Sequence, residues 1–205
     1  IDRLDYLKRD SFYTGVTEGN ISSDRLIAMM NVANDELVIE KKGIYSVEKF
    51  IIARRLMYWQ VYLHKTGLVA ENMLVKILQR AKELAREHIE VPATRTLHYF
   101  LYNQITADNF TDETLEMFSK LDDYDVLSAI KEWTSHSDTI LSELAKMIIH
   151  RNLFKIQLQD VPFSSNEVKE KEDKLMEKLD IKRHQVSYFV FEDKVRNQAY
   201  NSKNP

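Results

Sequence analysis

Apolar positions recur at three- and four-residue spacing along most of the chain, which predicts helices rather than strands. Asp2 to Tyr13 holds that period until Gly15 and Gly19 interrupt it. Ser22 or Ser23 stands where a cap would start a short helix through Asn31. Glu36 to Glu40 (ELVIE) has strand character, and Lys41-Lys42-Gly43 reads as its turn. A long helix is predicted from Ser46, as N-cap, to about Lys65, with Gly67 as its stop. A second runs from Val69 to His88, with Met73, Ile77, Ala81, Leu84 and Ala85 as its apolar stripe, and Pro92 ends that region. Residues 93–110 are aromatic-rich and follow no single period. Three helices then follow: from Thr111 or Asp112 to Leu121, from Asp122 or Asp123 to Trp133, and from Ser137 to Ile149.

Beyond residue 150 the texture changes. Leu153 to Leu158 (LFKIQL) and Val186 to Phe191 (VSYFVF) alternate like strands on either side of a charged helix, Glu167 to Leu179. The prediction is therefore a mainly α fold: a helical body over 1–150 and a small α+β lobe over 151–205. Composition agrees. Only 4 Gly and 3 Pro punctuate the 205 residues, too few for a sandwich or barrel of many short strands. Apolar residues at 44% and charged residues at 30% fit a globular chain rather than a disordered one. The absence of Cys excludes disulfides, thiolate metal sites and cysteine nucleophiles, and fits a reducing, cytoplasmic setting. No apolar run approaches the ~18–20 residues of a membrane span, and no signal-peptide pattern is visible. The chain opens at Ile1 inside a patterned segment and stops at Asn204-Pro205 just after a strand-like run, so it is expected to be part of a longer polypeptide.

The net charge of -3 conceals an asymmetry. Residues 41–65 hold Lys41, Lys42, Lys49, Arg54, Arg55 and Lys65 against Glu48, a balance of +5. Residues 106–145 hold ten acids against Lys120 and Lys131, a balance of -8. A basic segment in an acidic chain points to a local anion site rather than a general nucleic-acid surface, although two solvated faces account for the same numbers.

Two stripes carry candidate chemistry. On a first helix Asp2, Tyr6 and Asp10 are spaced i, i+4, i+8 on one face, with Arg3 and Tyr13 beside them. Two carboxylates and a phenol make a poor core face, since burying unpartnered carboxylates is costly. They face either water or a metal or substrate hydroxyl. On the long helix Phe50, Arg54, Tyr58 and Tyr62 are spaced by four. Arg54 and Tyr62 then lie roughly 12 Å apart on one face, about the reach of a nucleoside triphosphate. A guanidinium forks onto phosphate oxygens and a tyrosine offers a stacking face with a hydroxyl. An aromatic core stripe with Arg54 paired to a carboxylate is the plainer alternative.

Together these segments resemble a known family. Asp2-Arg3-Leu4-Asp5-Tyr6-Leu7-Lys8-Arg9-Asp10-Ser11, followed by Gly15, is similar to the D-[RK]-x-D-Y-x-x-R-D-[SC] signature of HD-domain deoxynucleoside triphosphate triphosphohydrolases. These include the bacterial dGTPase-like enzymes and the vertebrate sterile-alpha-motif and HD-domain dNTPase. Asp24-Arg25-Leu26-Ile27, the stretch from Arg54 to Lys65, Arg151-Asn152-Leu153-Phe154-Lys155 and Lys203-Asn204-Pro205 resemble further elements of that family in the same order. The resemblance implies an HD-domain-like helical body and hydrolysis of a dNTP to deoxynucleoside and inorganic triphosphate. It implies a divalent metal (Mg, Mn, Fe or Zn) with Asp2 as its last ligand. Arg3 then meets the triphosphate, Tyr6 packs on the deoxyribose, Asp10 accepts from the sugar 3′-hydroxyl, Arg54 clamps the γ-phosphate and Tyr62 touches the sugar, with Tyr58 lining the same pocket.

The resemblance also implies a regulatory dNTP or GTP site between subunits, formed by Arg25, Lys42, His64, Lys65, Arg151, Lys155 and Lys203, in a homo-oligomer (dimer or tetramer). No membrane or nucleic-acid partner is implied. Two departures stand out. None of the six His precedes an Asp, so the family's H…HD ligands are not in this sequence, and the chain alone is expected to be inactive. Tyr58 and Leu63 replace a His and a Gln of the vertebrate enzyme, which bears on base preference. Rival readings are an HD-family nucleotidase or phosphodiesterase acting on another nucleotide, and a non-catalytic nucleotide-binding or scaffold protein.

Overall fold

A computed structural model describes residues 2–159 and 161–193. Nearly all regular structure in them is helical, as the apolar spacing predicts. The chain divides into two units, one built on the described residues up to Leu68 and the other comprising Val69–Glu192.

In the first unit α1 (Asp2–Thr14) buries Leu4 and Leu7. A 3-10 turn (Thr17–Gly19) and the short α2 (Ser23–Ala28) follow. The helix expected to reach Asn31 stops early because residues 30–39 form a hairpin. β1 (Met30–Ala33) pairs antiparallel with β2 (Glu36–Ile39), from Met30 opposite Ile39 to Ala33 opposite Glu36. Asn34 and Asp35 both sit at positive φ, 52° and 62°, which is what a two-residue turn matched to strand twist requires. The expected ELVIE strand is thus present, with a partner the sequence reading did not supply.

The helix after it, α3 (Ile44–Met57), begins two residues before the expected cap at Ser46. A 3-10 turn over Lys41–Gly43 feeds it directly. Gly43 is required there, since a Cβ would stand 2.7 Å from Ile39 Cγ2. Nor does α3 run on as one α-helix to Lys65. It opens into a π-helical turn, Tyr58–Tyr62, closed by the Leu63 N–H donating to Tyr58 O at 2.8 Å. The core of this unit joins Leu4, Leu7, Ile21, Leu26, Ala53 and Met57.

The fourth helix, α4 (Lys65–Arg86), starts before Val69 and takes in Gly67, expected as the stop of the preceding helix, and the unit boundary falls within it. Its expected stripe of Met73, Ile77, Ala81, Leu84 and Ala85 is buried. The region of mixed period resolves into α5 (Arg95–Tyr102) and a 3-10 turn (Ala107–Asn109). Then come α6 (Asp112–Lys120), α7 (Asp123–Trp133) and α8 (Thr139–Ile149), each with a side-chain cap: Thr111, Asp122 and Asp138. Trp133, Ile140, Leu141 and Leu144 pack on Ile77, Ala81 and Leu84 in the core, and Trp133 Nε1 donates to Pro92 O at 2.7 Å.

Of the α+β character expected after residue 150, only the helix is present among the described residues. α9 (Ser165–Leu179) starts at a reciprocal Ser164–Glu167 cap. Residues 153–158 lie in no strand, and Arg183–Tyr188 is a 3-10 helix where a strand was expected over 186–191. That turn is held by side chains. Tyr188 donates to Glu83, and its ring centre lies 5.8 Å from the guanidinium carbon of Arg80, which itself reaches Asp138 through two bonds of 3.2 and 2.7 Å. Burial pushes the Tyr188 phenol up to about 12, with the Glu83 carboxylate adding to it. Burial also raises the Asp138 carboxyl, but hydrogen bonds from Arg80 and the Leu141 N–H outweigh it and hold it below its usual range.

Candidate functional site

Five of the residues singled out in the sequence come together in the first unit. α1 supplies Tyr6 and Asp10, α3 supplies Arg54, and the π turn supplies Tyr58 and Tyr62. The Tyr62 hydroxyl donates to Asp10 Oδ2 at 2.5 Å. Arg54, only 7% exposed, donates long hydrogen bonds from Nε to the Tyr6 hydroxyl (3.4 Å) and from Nη2 to the Tyr58 hydroxyl (3.5 Å). Its guanidinium carbon also stands 5.1 Å from the centre of the Tyr58 ring. The Tyr62 ring meets Tyr58 and Tyr6 edge-on, with centroids 5.0 and 6.2 Å apart. Burial, then the Asp10 bond and charge, raises the Tyr62 phenol far above its ordinary value, so it stays a proton donor at neutral pH.

The cluster depends on how closely α1 and α3 approach. Ser11 Oγ donates to Val16 O at 2.7 Å, folding the chain back after α1. Gly19 then fits where a Cβ would lie 2.5 Å from Met57 Sδ and 2.9 Å from Ser11 Cβ. The sequence reading took Gly19 only as a helix breaker and did not see the π turn. The dense aromatic run YWQVY was the one sign of it. π turns that interrupt α-helices are frequent at functional positions.

Chemically, the cluster offers one carboxylate, three phenols and a buried cation. That set suits a ligand carrying both hydroxyls and phosphate. Asp2 and Arg3 lie on the exposed first turn of α1, and neither makes a hydrogen bond or ion pair to the cluster among the described residues. No group of three His, Cys, Asp or Glu among the described residues is placed to hold a metal ion. Asp2 is a single exposed carboxylate, so the residues here do not amount to a metal centre by themselves.

The expected regulatory cations are dispersed. Arg25, Lys42, His64 and Lys65 are exposed in the first unit. There Lys42 pairs with Glu40 at 2.7 Å, and His64 Nδ1 accepts from the Thr66 N–H at 3.3 Å. Arg151, at φ 55°, and Lys155 are exposed in the second unit. Lys203 lies outside the described residues. Among the described residues no helix is long and apolar enough to cross a membrane.

Parts of this chain are similar to known proteins. Residues 21–99 match the HD associated region, a span that includes α3 and the π turn. An uncharacterized protein of Bacillus subtilis (strain 168), YwfO, is 38% identical over 166 residues, which is 81% of this chain and 36% of that protein. A deoxynucleoside triphosphate triphosphohydrolase SAMHD1 homolog of Dictyostelium discoideum is 29% identical over 86 residues, 42% of this chain and 16% of that protein. The crystal structure of a phosphohydrolase from Bacteroides thetaiotaomicron VPI-5482 superimposes with a TM-score of 0.86 at 51% identity, covering 91% of this chain and 47% of that one. The chain thus spans less than half the length of these relatives. Residues 21–99 are thus similar to an HD associated region, within a fold similar to about half of that phosphohydrolase.

Proposed function

We propose that this chain is the nucleotide-holding part of a dNTP triphosphohydrolase of HD type. The whole protein would release deoxynucleoside and inorganic triphosphate. Those products require water to add at the α-phosphorus and the bond from that phosphorus to the 5′-oxygen to break. The observation that carries the proposal is the Tyr62–Asp10 hydrogen bond set beside the buried Arg54. Asp10 Oδ2 is held by Tyr62, which aims the carboxylate and leaves Oδ1 for a sugar 3′-hydroxyl. Tyr6, edge-on to Tyr62, packs on the deoxyribose and leaves little room for a 2′-hydroxyl. Arg54 and Tyr58 face the phosphates, with Arg3 on the same helix as Tyr6. The Dictyostelium relative's name supports the dNTP as substrate. The divalent metal belongs to the whole protein, and this chain offers it Asp2 alone.

Effector binding by dNTP or GTP at Arg25, Lys42, His64, Lys65, Arg151, Lys155 and Lys203, in a homo-oligomer, forms part of the same proposal. The test incubates the full-length protein with each dNTP and Mg²⁺ or Mn²⁺, singly and in pairs, and separates products by ion exchange. Inorganic triphosphate with deoxynucleoside is expected, and faster release with a second dNTP supports the effector site. Monophosphate with pyrophosphate overturns the reaction and points to a nucleotidase. No product at all points to a binding protein.

A further inference from the structure

Asp10 stands one turn from the C-terminal end of α1, where the last carbonyls of a helix find no partner within it. Such ends ordinarily fray. Here side chains tie the end down. The Thr14 hydroxyl donates to Asp10 O at 2.6 Å and accepts from the Val16 N–H at 3.4 Å. The Ser11 hydroxyl donates to Val16 O at 2.7 Å, and the Gly19 N–H donates to the same oxygen at 3.3 Å. Both backbone polar groups of Val16 are thus bound to side chains of the helix it follows. Gly15, at φ 71°, supplies the left-handed step that turns the chain back so that these bonds can form.

The Thr14 bond alone would say little, because a hydroxyl bonded to the carbonyl four residues back is common in helices. Ser11 is different. It reaches forward five residues, across the turn, to an oxygen that it shares with Gly19. Gly19 is buried and wedged against α3, since a Cβ there would lie 2.5 Å from Met57 Sδ and 2.9 Å from Ser11 Cβ. Ser11 therefore links the end of α1 to the segment seated against the helix that leads into Tyr62. Asp10 is held from two directions as a result. The Tyr62 hydroxyl fixes its carboxylate, and the tied helix end fixes its backbone. The Ser11 proton is committed to Val16 O, so this residue acts through Asp10 rather than on a ligand.

We infer that Ser11, assisted by Thr14, is a positioning residue that aims Asp10 Oδ1 at the sugar 3′-hydroxyl and so sets selectivity for nucleotides that carry that group. The inference rests on the proposed role of Asp10 toward the 3′-hydroxyl. It deepens that role by naming what holds the carboxylate in register from its own helix.

Steady-state kinetics on the full-length protein tests it, comparing a dNTP with its 2′,3′-dideoxy counterpart by release of inorganic triphosphate. The wild type is expected to favour the dNTP. Ser11→Ala removes one neutral hydrogen bond, so KM for the dNTP is expected to rise about 3–10-fold with kcat little changed. KM for the dideoxynucleotide is expected to stay within about twofold, because that substrate has no 3′-hydroxyl for Asp10 to meet. Thr14→Val, at an exposed position where folding is not at risk, should shift the two substrates in the same unequal way. Thr14→Ser, which keeps the hydroxyl, should restore the wild-type ratio. An equal loss on both substrates would make Ser11 a structural residue only, and an unchanged KM for the dNTP would give it no part; either overturns the inference. A wild type that releases no triphosphate, or releases it equally from both nucleotides, removes Asp10 from the 3′-hydroxyl. That failure of the underlying reading takes the inference with it and is seen before any variant is compared.

Discussion

At the scale of single residues, the site is a problem of aiming a carboxylate. Asp10 is half-buried, and one oxygen is fixed by the Tyr62 hydroxyl at 2.5 Å. A hydrogen bond to a charged group contributes about 1.5–3 kcal/mol, so Tyr62→Phe in the full-length protein is expected to raise KM for a dNTP about 10–100-fold. Steady-state kinetics with triphosphate detection measures it, and an unchanged KM would remove Tyr62 from its role. The Arg80–Asp138 bridge in the second unit has both side chains largely shielded, 13% and 15% exposed. Arg80→Ala is expected to cost about 2 kcal/mol, read by denaturant unfolding, because it leaves a shielded carboxylate without its partner.

Tyr188 adds a pH signature. Its phenol is raised by burial and by Glu83 to about 12. A raised value favours the protonated form, so this stability is complete below the unfolded value near 10 and is lost between about 10 and 12. Thermal unfolding of wild type and Tyr188→Phe across that window should show a steeper alkaline loss in the wild type. Parallel curves would show that the phenol is not linked to folding.

At the scale of elements, the crossing of α1 and α3 decides whether the site exists. Gly19 permits it, and Gly19→Ala would press on Met57 and Ser11. Overpacking of this kind costs about 1–3 kcal/mol, and dNTP affinity should fall with Tm as α1 moves away from Tyr62. A Tm equal to wild type would show that the crossing has slack. Helices with polar starts were legible because a cap is local: Thr111, Asp122 and Asp138 each accept a bond from the N–H of a residue two or three positions on. The hairpin was half legible. Its second strand has apolar texture, but its first, Met30–Ala33, exists only through pairing across Asn34-Asp35. The VSYFVF alternation misled for a related reason. Burial of Val186 and Tyr188 fits two-residue spacing, but Tyr188 is anchored to helix α4 through Glu83, and among the described residues no strand pairs with this segment.

At the scale of the whole molecule, the convergence of Tyr6, Asp10, Arg54, Tyr58 and Tyr62 was legible as two four-residue stripes, because a stripe on each of two packed helices needs only one crossing to meet. Asp2 belongs to the first stripe by spacing and Arg3 borders it, yet both stay on the exposed turn, since a stripe extends beyond any single point of contact.

The π turn has a bearing on how this chain is compared with its relatives. Five residues there occupy little more than the arc that four fill in a regular helix. A relative that is α-helical throughout would reach the same tyrosine–aspartate pairing with one residue fewer. Matching such sequences letter by letter would put Trp59 or Gln60 against the wrong neighbour and shift every later position by one. A gap of one residue inside Tyr58–Tyr62, where helices are normally held gapless, is therefore the alignment the geometry asks for. Removing Gln60 from this chain should turn Tyr62 by about 100° and abolish its bond to Asp10.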